Sequence, residues 1–405
     1  MKSSCPYCGN NPVPHRLYWY EESLNILFTP IRQKLIYNPC SRWLKKFIIP
    51  PFSAFLFYCA KFFGILRLRA DRTACKVRRA QVLWEEAEKR GIAMSEVLLF
   101  GKPIDVYVAE RLNNQPIGQS ANQHISQRGI IFSGLPRPQG YDNRWLELMD
   151  DKFLLKQKLR AANFPVPRGG SVTGTAAALK IFGRIDKPAI VKPRAGSRGR
   201  HTTTFIYSEA DLRRAVKIAQ QLCHWVIVEE QLTGPIFRAT VIGGKLAGVL
   251  RGDEPQITGD GQHKISELIG IKNPRSHPGV KDIIIDDAME LFLSRQNLDI
   301  NSVPYSGRLV SLSEKIGVNY GGSSSEDYEI CHPDNKELFL RAAAVVGDPI
   351  VGFDFIIPNI TRSFREQKCG FIEANSLPFI NLHHDPLLGS PRNAAALVWD
   401  LVGWR

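Results

Sequence analysis

The sequence predicts an α+β protein, and three observations carry that expectation. Short apolar runs of strand length, bounded by Gly and Pro, recur from residue 96 onward, among them SEVLLF, IDVYVAE and VGFDF. Between them lie charged, amphipathic stretches of helical period such as EADLRRAVKIAQQL and DNKELFLRAAAVVG. The composition, 44% hydrophobic and 23% charged, is that of a folded chain and excludes an extended disordered one. At about 100–200 residues per domain, the 405 residues suggest two to four domains.

The net charge of +14 favours anionic partners, and its distribution is uneven. Residues 1–100 hold sixteen Lys/Arg against seven Asp/Glu, so most of the excess belongs to the first quarter. Eight cysteines show no disulfide-scaffold spacing, and no apolar run precedes the first of them. A reducing, cytoplasmic setting is therefore expected.

Residues 1–95 read as a basic N-terminal extension. Cys5-Pro6-Tyr7-Cys8-Gly9 is a CxxC knuckle, half of a zinc ribbon. His15, Cys40, Cys59 and Cys75 are the nearest further ligands, and none forms a second CxxC. The expectation is a reduced pair in a flexible terminus, with structural zinc at Cys5 and Cys8 as the second reading. Residues 47–66 are the most apolar stretch, but Pro50-Pro51 and Lys61 speak against a membrane span. Lys45, Lys46, Arg67 and Arg69 flank it. A buried or partner-facing helix is expected, and peripheral contact of 45–69 with an anionic membrane is the alternative. Residues 71–90 predict an amphipathic helix with Val77, Ala80, Leu83, Trp84 and Ala87 on one face, stopped by Gly91.

Residues 96–149 predict a small α/β segment with strands split by Gly101-Lys102-Pro103. From 150 a second unit begins, divided near 235. Its first helix opens at Asp150-Asp151-Lys152, with Asp150 as N-cap, and stops before Pro165. FRATVIGGKLAGVLRGD predicts a hairpin turning on Gly243-Gly244, and two late strands, IVGFDFIIPNI and CGFIEANSLP, follow.

Three signals carry chemistry. Lys192 ends an apolar strand and leads into Arg194-Ala195-Gly196-Ser197-Arg198-Gly199, a loop whose backbone can approach phosphate oxygens. It is not a Walker A loop, because no Gly-Lys-Ser/Thr opens a helix. Asp354 lies in one late strand; Glu373 and Asn375, two apart, share a face of the other. If the strands pair, three hard oxygen donors meet, a set that suits Mg²⁺ bridged to phosphates. Glu229-Glu230-Gln231-Leu232 runs from a strand into a hinge that can read a purine through its backbone.

In this order and spacing, the parts resemble the ATP-grasp superfamily over about residues 100–400. The likeness is nearest to the ATP-grasp domain of cyanophycin synthetase and the related glutathione-synthesising and D-alanine–D-alanine ligases. VEEQLTGPIFRATVIGGKLAGVLR, ITGDGQHKISELI and VNYGGSSSEDYEICHPDNKELFLRAAAVVG support it. The resemblance implies an ATP-grasp fold, two α+β subdomains clasping ATP. It implies Lys152 and Lys192 as nucleotide lysines, with Gly196, Ser197 and Gly199 in the phosphate-covering loop. Glu229, Glu230, Gln231 and Leu232 become the adenine hinge, and Asp354, Glu373 and Asn375 the ligands of two Mg²⁺ ions. Arg238 and Arg251 fall near the phosphates and the acyl centre. Asn319, Gly321 and Gly322, with Lys315, fall near the substrate.

Two departures are visible. Ile236 stands where these enzymes carry the acid that holds the ribose, leaving Glu230 as its substitute. Ser313 stands where cyanophycin-type enzymes carry Arg, with Lys315 nearby. The implied activity is ADP-forming ligation of a small-molecule carboxylate to an amine through an acyl phosphate, with an amino acid or peptide as substrate. The alternative is a catalytically silent nucleotide-binding module docked through its basic N-terminal region. A nucleic-acid partner is not expected, because no complete zinc set or RNA- or DNA-binding module is present.

Overall fold

The computed structural model describes residues 5, 7–8, 12–36, 63–111, 129–139, 146–196, 199–277, 279–313 and 315–404. The first sheet is an antiparallel meander of β1 (Leu66–Arg69), β2 (Ile92–Leu99), β3 (Lys102–Arg111), β4 (Ile130–Gly134) and β5 (Arg137–Pro138), in that spatial order. The helix Arg78–Lys89 buries Ala80, Leu83, Trp84 and Ala87 against it, as its periodicity predicts; Val82 joins them, Val77 is its half-buried N-cap, and Gly91 at φ 65° ends it. The core continues through Tyr107 and Phe132 to Trp399 and Trp404, so this unit is welded to the C-terminal helix Ala394–Leu401.

Two expectations change here. The sheet begins at Leu66, not 96, and β2 crosses the expected boundary. Leu66–Arg69 is an edge strand rather than the end of an apolar helix, and Arg69 pairs with buried Glu96 instead of facing lipid. Lys45, Lys46 and residues 47–62 lie outside the described residues. Among those described, no helix is long and apolar enough to cross a membrane.

The next sheet holds β6 (Gly169–Val172), β7 (Ala189–Pro193), β8 (Thr203–Ile206) and β9 (Val226–Glu230), in the order β6-β9-β7-β8. The helices Thr175–Phe182 and Glu209–Ala219 pack on it through Ala178, Leu212 and Val216. Residues 231–235 then lead into the large sheet.

The large sheet starts with the hairpin of β10 (Ile236–Ile242) and β11 (Lys245–Gly252). It turns on Gly243 and Gly244 at φ 57° and 75°, the positive values that tight hairpin loops require. β12 (Gln256–Thr258) and β13 (Leu309–Ser311) form a separate ribbon that carries the helices Ile265–Lys272 and Asp287–Ser294 around their own small core. β14 (Ser324–Glu326), β15 (Ile350–Ile356), β16 (Gly370–Asn375) and β17 (Leu388–Gly389) complete the order β16-β15-β10-β11-β14-β17. One face is a phenylalanine core: Phe237, Phe353, Phe355 and Phe371 meet Phe339 of the helix Pro333–Val346. Because side chains alternate, the opposite face is left for polar groups.

That polar face is braced by a buried network. His383 Nδ1 lies 2.5 Å from Glu326 Oε2, and its Nε2 lies 2.8 Å from Thr240 Oγ1. Gly248 leaves room for it: a Cβ there would come 2.3 Å from His383 Nδ1. Gly248→Ala is therefore expected to cost about 1–3 kcal/mol by overpacking. The reading is a lower urea midpoint with an unchanged m-value.

Candidate functional site

Strand register assembles the first part of the site. β10, β15 and β16 align Arg238, Asp354 and Glu373 in a single cross-strand row, and the next row places Asn375 opposite Gly352. The two late strands thus pair, and the acids and the amide gather at one end of the polar face. Arg238 grips Asp354 bidentately, Nε to Oδ1 at 2.8 Å and Nη2 to Oδ2 at 2.9 Å. Burial pushes Asp354 up to about 6; Arg238 opposes the shift and Glu373, within hydrogen-bonding reach, adds to it. Burial works against ionisation of Glu373 as well, but Lys152 and the contact with Asp354 hold it below the usual carboxylate range. Asn375 Nδ2 is buried with no hydrogen-bond partner. Two crowded carboxylates beside an amide whose Oδ1 is a third oxygen donor form a hard set that fits a divalent cation, while the unpartnered Nδ2 is a donor free to meet an anionic oxygen.

A lysine cluster faces this row. Asp151, not Asp150, caps the helix Lys152–Ala161, accepting from Phe153 and Leu154 N–H at 2.9 and 3.1 Å. The same carboxylate holds Arg194 at 2.6 Å, pinning the start of the glycine-rich loop. Lys152 Nζ donates to the Gly196 carbonyl and lies 3.9 Å from Glu373. Lys192 Nζ lies 2.6 Å from Glu229 Oε1, and Lys156 Nζ lies 2.5 Å from Glu229 Oε2.

Glu229 is thus the buried counter-charge of two lysines. Burial would raise it, but Lys156 and Lys192 hold it down to about 2. Burial, joined by the repulsion of Lys192, drags Lys156 down to about 7 against the pull of Glu229. Lys192 goes the other way: despite burial, Glu229 and then Glu373 raise it. One carboxylate cannot fully compensate two ammoniums, and Lys156 is the one left short. Sequence reasoning missed Lys156; the signal was its i,i+4 spacing from Lys152, which puts both on one helix face.

The hinge differs in detail from expectation. Glu230 N–H donates to the Arg168 carbonyl and Gln231 N–H to the Pro188 carbonyl, each at 2.9 Å. Gln231 Oε1 accepts from Phe205 N–H at 2.7 Å, and Leu232 is buried. Glu230 accepts from Arg168 N–H at 2.9 Å and pairs with Lys368 at 2.9 Å, so it is tied to the hinge. Gly234 is required, since a Cβ would meet Pro358 Cα at 2.9 Å. In the loop, Gly196 and Gly199 have φ 109° and 63°, as expected of its pivots; Ser197 lies outside the described residues.

Arg251 is not in the Arg238 row. It pairs in register with Phe237, one position out, and its ion-pair partners are Asp253 at 3.0 Å and Asp327 at 3.9 Å. The segment expected near the substrate gathers at this strand end. Asn319 is exposed on the short turn Val318–Tyr320, and Lys315 Nζ sits over the Tyr320 ring at 5.3 Å. Gly321 takes φ 82°, and a Cβ on Gly322 would strike the Asp253 carbonyl oxygen at 2.1 Å. A separate cleft lined by Val82, Glu85, His384 and Arg392 includes none of these residues.

No protein-family model matches the chain. It is 32% identical over 264 residues to the glutathione biosynthesis bifunctional protein GshAB of Clostridium perfringens, covering 63% of this chain and 34% of that one. It is 32% identical over 268 residues to a cyanophycin synthetase of Crocosphaera subtropica, covering 64% and 30%. The chain therefore spans about a third of the length of these curated relatives. The crystal structure of a bifunctional glutathione synthetase from Pasteurella multocida superposes with a TM-score of 0.53 at 23% identity, covering 80% of this chain and 43% of that one, and shows the shared fold. Sequence similarity and shared fold together support a relationship of the chain to the ATP-grasp superfamily.

Proposed function

We propose that the chain is an ATP-dependent carboxylate–amine ligase acting on an amino acid or peptide through an acyl phosphate. The observation that carries this reading is the row Arg238–Asp354–Glu373 with Asn375 beside it, close to Lys152 and Lys192. Asp354, Glu373 and Asn375 would hold Mg²⁺, which when bound neutralises charge on the phosphates. Lys152 and Lys192 would bind phosphate oxygens, and the loop secured by Lys152 and the Asp151–Arg194 pair would cover them. With the backbone donors of Glu230 and Gln231 engaged, the Leu232 peptide is the hinge group left to read a purine edge.

The substrate carboxylate attacks the γ-phosphoryl group and ADP departs. The amine then attacks the acyl carbon, phosphate leaves, and the amine proton passes to solvent or base. Arg238 supplies positive charge where the oxyanion develops. Closure of the glycine-rich loop keeps water from the acyl phosphate. Arg251, with Asn319 and Lys315 nearby, belongs to the acceptor side, where charge selects the substrate.

The test is ADP release from Mg·ATP across panels of amino-acid and peptide carboxylates and amines, with the ligated product identified by mass spectrometry. ADP release that needs both an acid and an amine is expected. Nucleotide binding with no turnover across the panel would overturn the ligase reading in favour of a silent nucleotide-binding module.

A further inference from the structure

We propose that Cys5, Cys8, His15 and His201 form a structural zinc site that fastens the N-terminal segment to the glycine-rich loop. This goes beyond the ligase reading and does not depend on it.

The four donor atoms lie within 4.8 Å of one another. Cys8 Sγ is 3.3 Å from His15 Nε2 and 3.4 Å from His201 Nε2, and Cys5 Sγ is 3.6 Å from His201 Nε2. A tetrahedral site with Zn–S about 2.3 Å and Zn–N about 2.0 Å has S···N edges of about 3.6 Å. The three S···N separations, 3.3, 3.4 and 3.6 Å, lie within about 0.3 Å of that edge.

Hydrogen bonds alone explain the cluster poorly. His201 Nδ1 lies 2.8 Å from the Ile218 carbonyl, which can only accept, so Nδ1 carries the proton and Nε2 presents a bare lone pair. One lone pair accepts one hydrogen bond well, yet two sulfurs converge on it. A single cation at the centre satisfies both sulfurs and both imidazoles. A carbonyl on the distal nitrogen is also the usual support of a metal-bound imidazole, fixing its tautomer and orientation. Two thiolates and two imidazoles in tetrahedral array select zinc among common ions.

The backbone agrees. His201 is fully buried at φ 52°, a left-handed conformation uncommon outside glycine, and its N–H donates to the Tyr7 carbonyl at 2.9 Å. The Cys8 N–H closes back on the Cys5 carbonyl at 3.0 Å, forming the knuckle. The helix His15–Ile36 continues the contact: Ser23 Oγ accepts from His224 N–H at 3.0 Å, and Arg200 lies over the Tyr18 ring at 5.9 Å. The pair expected to be loose is therefore anchored. Its fourth partner comes from 193 residues downstream, and Cys75 instead packs near Tyr107.

His201 lies between the loop pivot Gly199 and β8, so the ion would set the resting position of the segment that covers the phosphates.

The full chain, purified without chelator and freed of any tag, should carry one zinc per chain by elemental analysis. X-ray absorption should report two sulfur and two nitrogen donors. Cobalt should replace zinc and show the intense visible bands of a tetrahedral thiolate site. His201→Gln and Cys8→Ser should lower zinc affinity by tenfold or more, while His201→Cys retains the metal. Chelation should speed amide exchange in 199–206. Absence of stoichiometric zinc with no tetrahedral cobalt spectrum, a Cys5–Cys8 disulfide in the isolated chain, or full zinc in His201→Gln would overturn the proposal. The absorption measurement uses the unmutated protein, so misfolding of a variant cannot obscure the answer.

Discussion

Glu373→Gln is expected to lower acid- and amine-dependent ADP release by about a thousandfold, corresponding to several kcal/mol of transition-state stabilisation at about 1.4 kcal/mol per tenfold. The same change should leave the nucleotide-free protein folded. Glu373 crowds Asp354, which burial already disfavours as an anion, and the nearby Lys152 is 3.9 Å away and also bound to the Gly196 carbonyl. Replacing one of two adjacent carboxylates with an amide relieves their repulsion and gives up the attraction to Lys152 that holds Glu373 ionised, while Arg238 keeps both its bonds to Asp354. Two measurements separate this from a structural role. Mg·ATP should raise the melting temperature of the unmutated chain and not that of Glu373→Gln. Activity within a fewfold of normal in the variant would remove Glu373 from the metal set.

The strand pair that carries this site was legible because its pattern is local. VGFDF and FIEAN each place one acid within an apolar strand, and period-two alternation fixes which residues share a face. What was not legible depends on tertiary distance. Glu229 reads as a hinge acid in isolation, and only the packing of the helix Lys152–Ala161 against β9 shows it to be a buried counter-ion. His201 reads as one histidine in a polar loop until Cys5 and Cys8 arrive beside it. Arg251 follows Arg238 on the partner strand of a hairpin, and which face it takes is decided by register, which the sequence leaves open. The first sheet was placed too late because its edge strand, LRLR, adjoins an apolar run that masks its alternation.

Glu229→Gln should be the most destabilising single change in the ATP-grasp unit. Glu229 is 3% exposed and binds Lys156 and Lys192 at 2.5 and 2.6 Å. Removing the shared acid strands two buried ammoniums, and breaking a buried pair in this way costs about 3–5 kcal/mol. The pH dependence has a definite sign. Lys156 titrates at about 7 in the folded chain, below its unfolded value, so between those values the unfolded chain binds the extra proton and stability rises with pH. Without Glu229, Lys192 loses the partner that now raises it and sheds its proton in the same direction. The variant's stability should therefore climb more steeply than the parent's from pH 6 to 9, by up to about 1.4 kcal/mol per pH unit for the one extra proton. Lys156→Met gives the opposite outcome: it leaves Lys192 and Glu229 as a matched pair, fills similar volume, and should be neutral or stabilising. Urea unfolding of the two variants across that pH range decides the matter. A Glu229→Gln loss below about 1 kcal/mol, or a parallel pH slope, would mean that the carboxylate is not the charge on which this cluster depends.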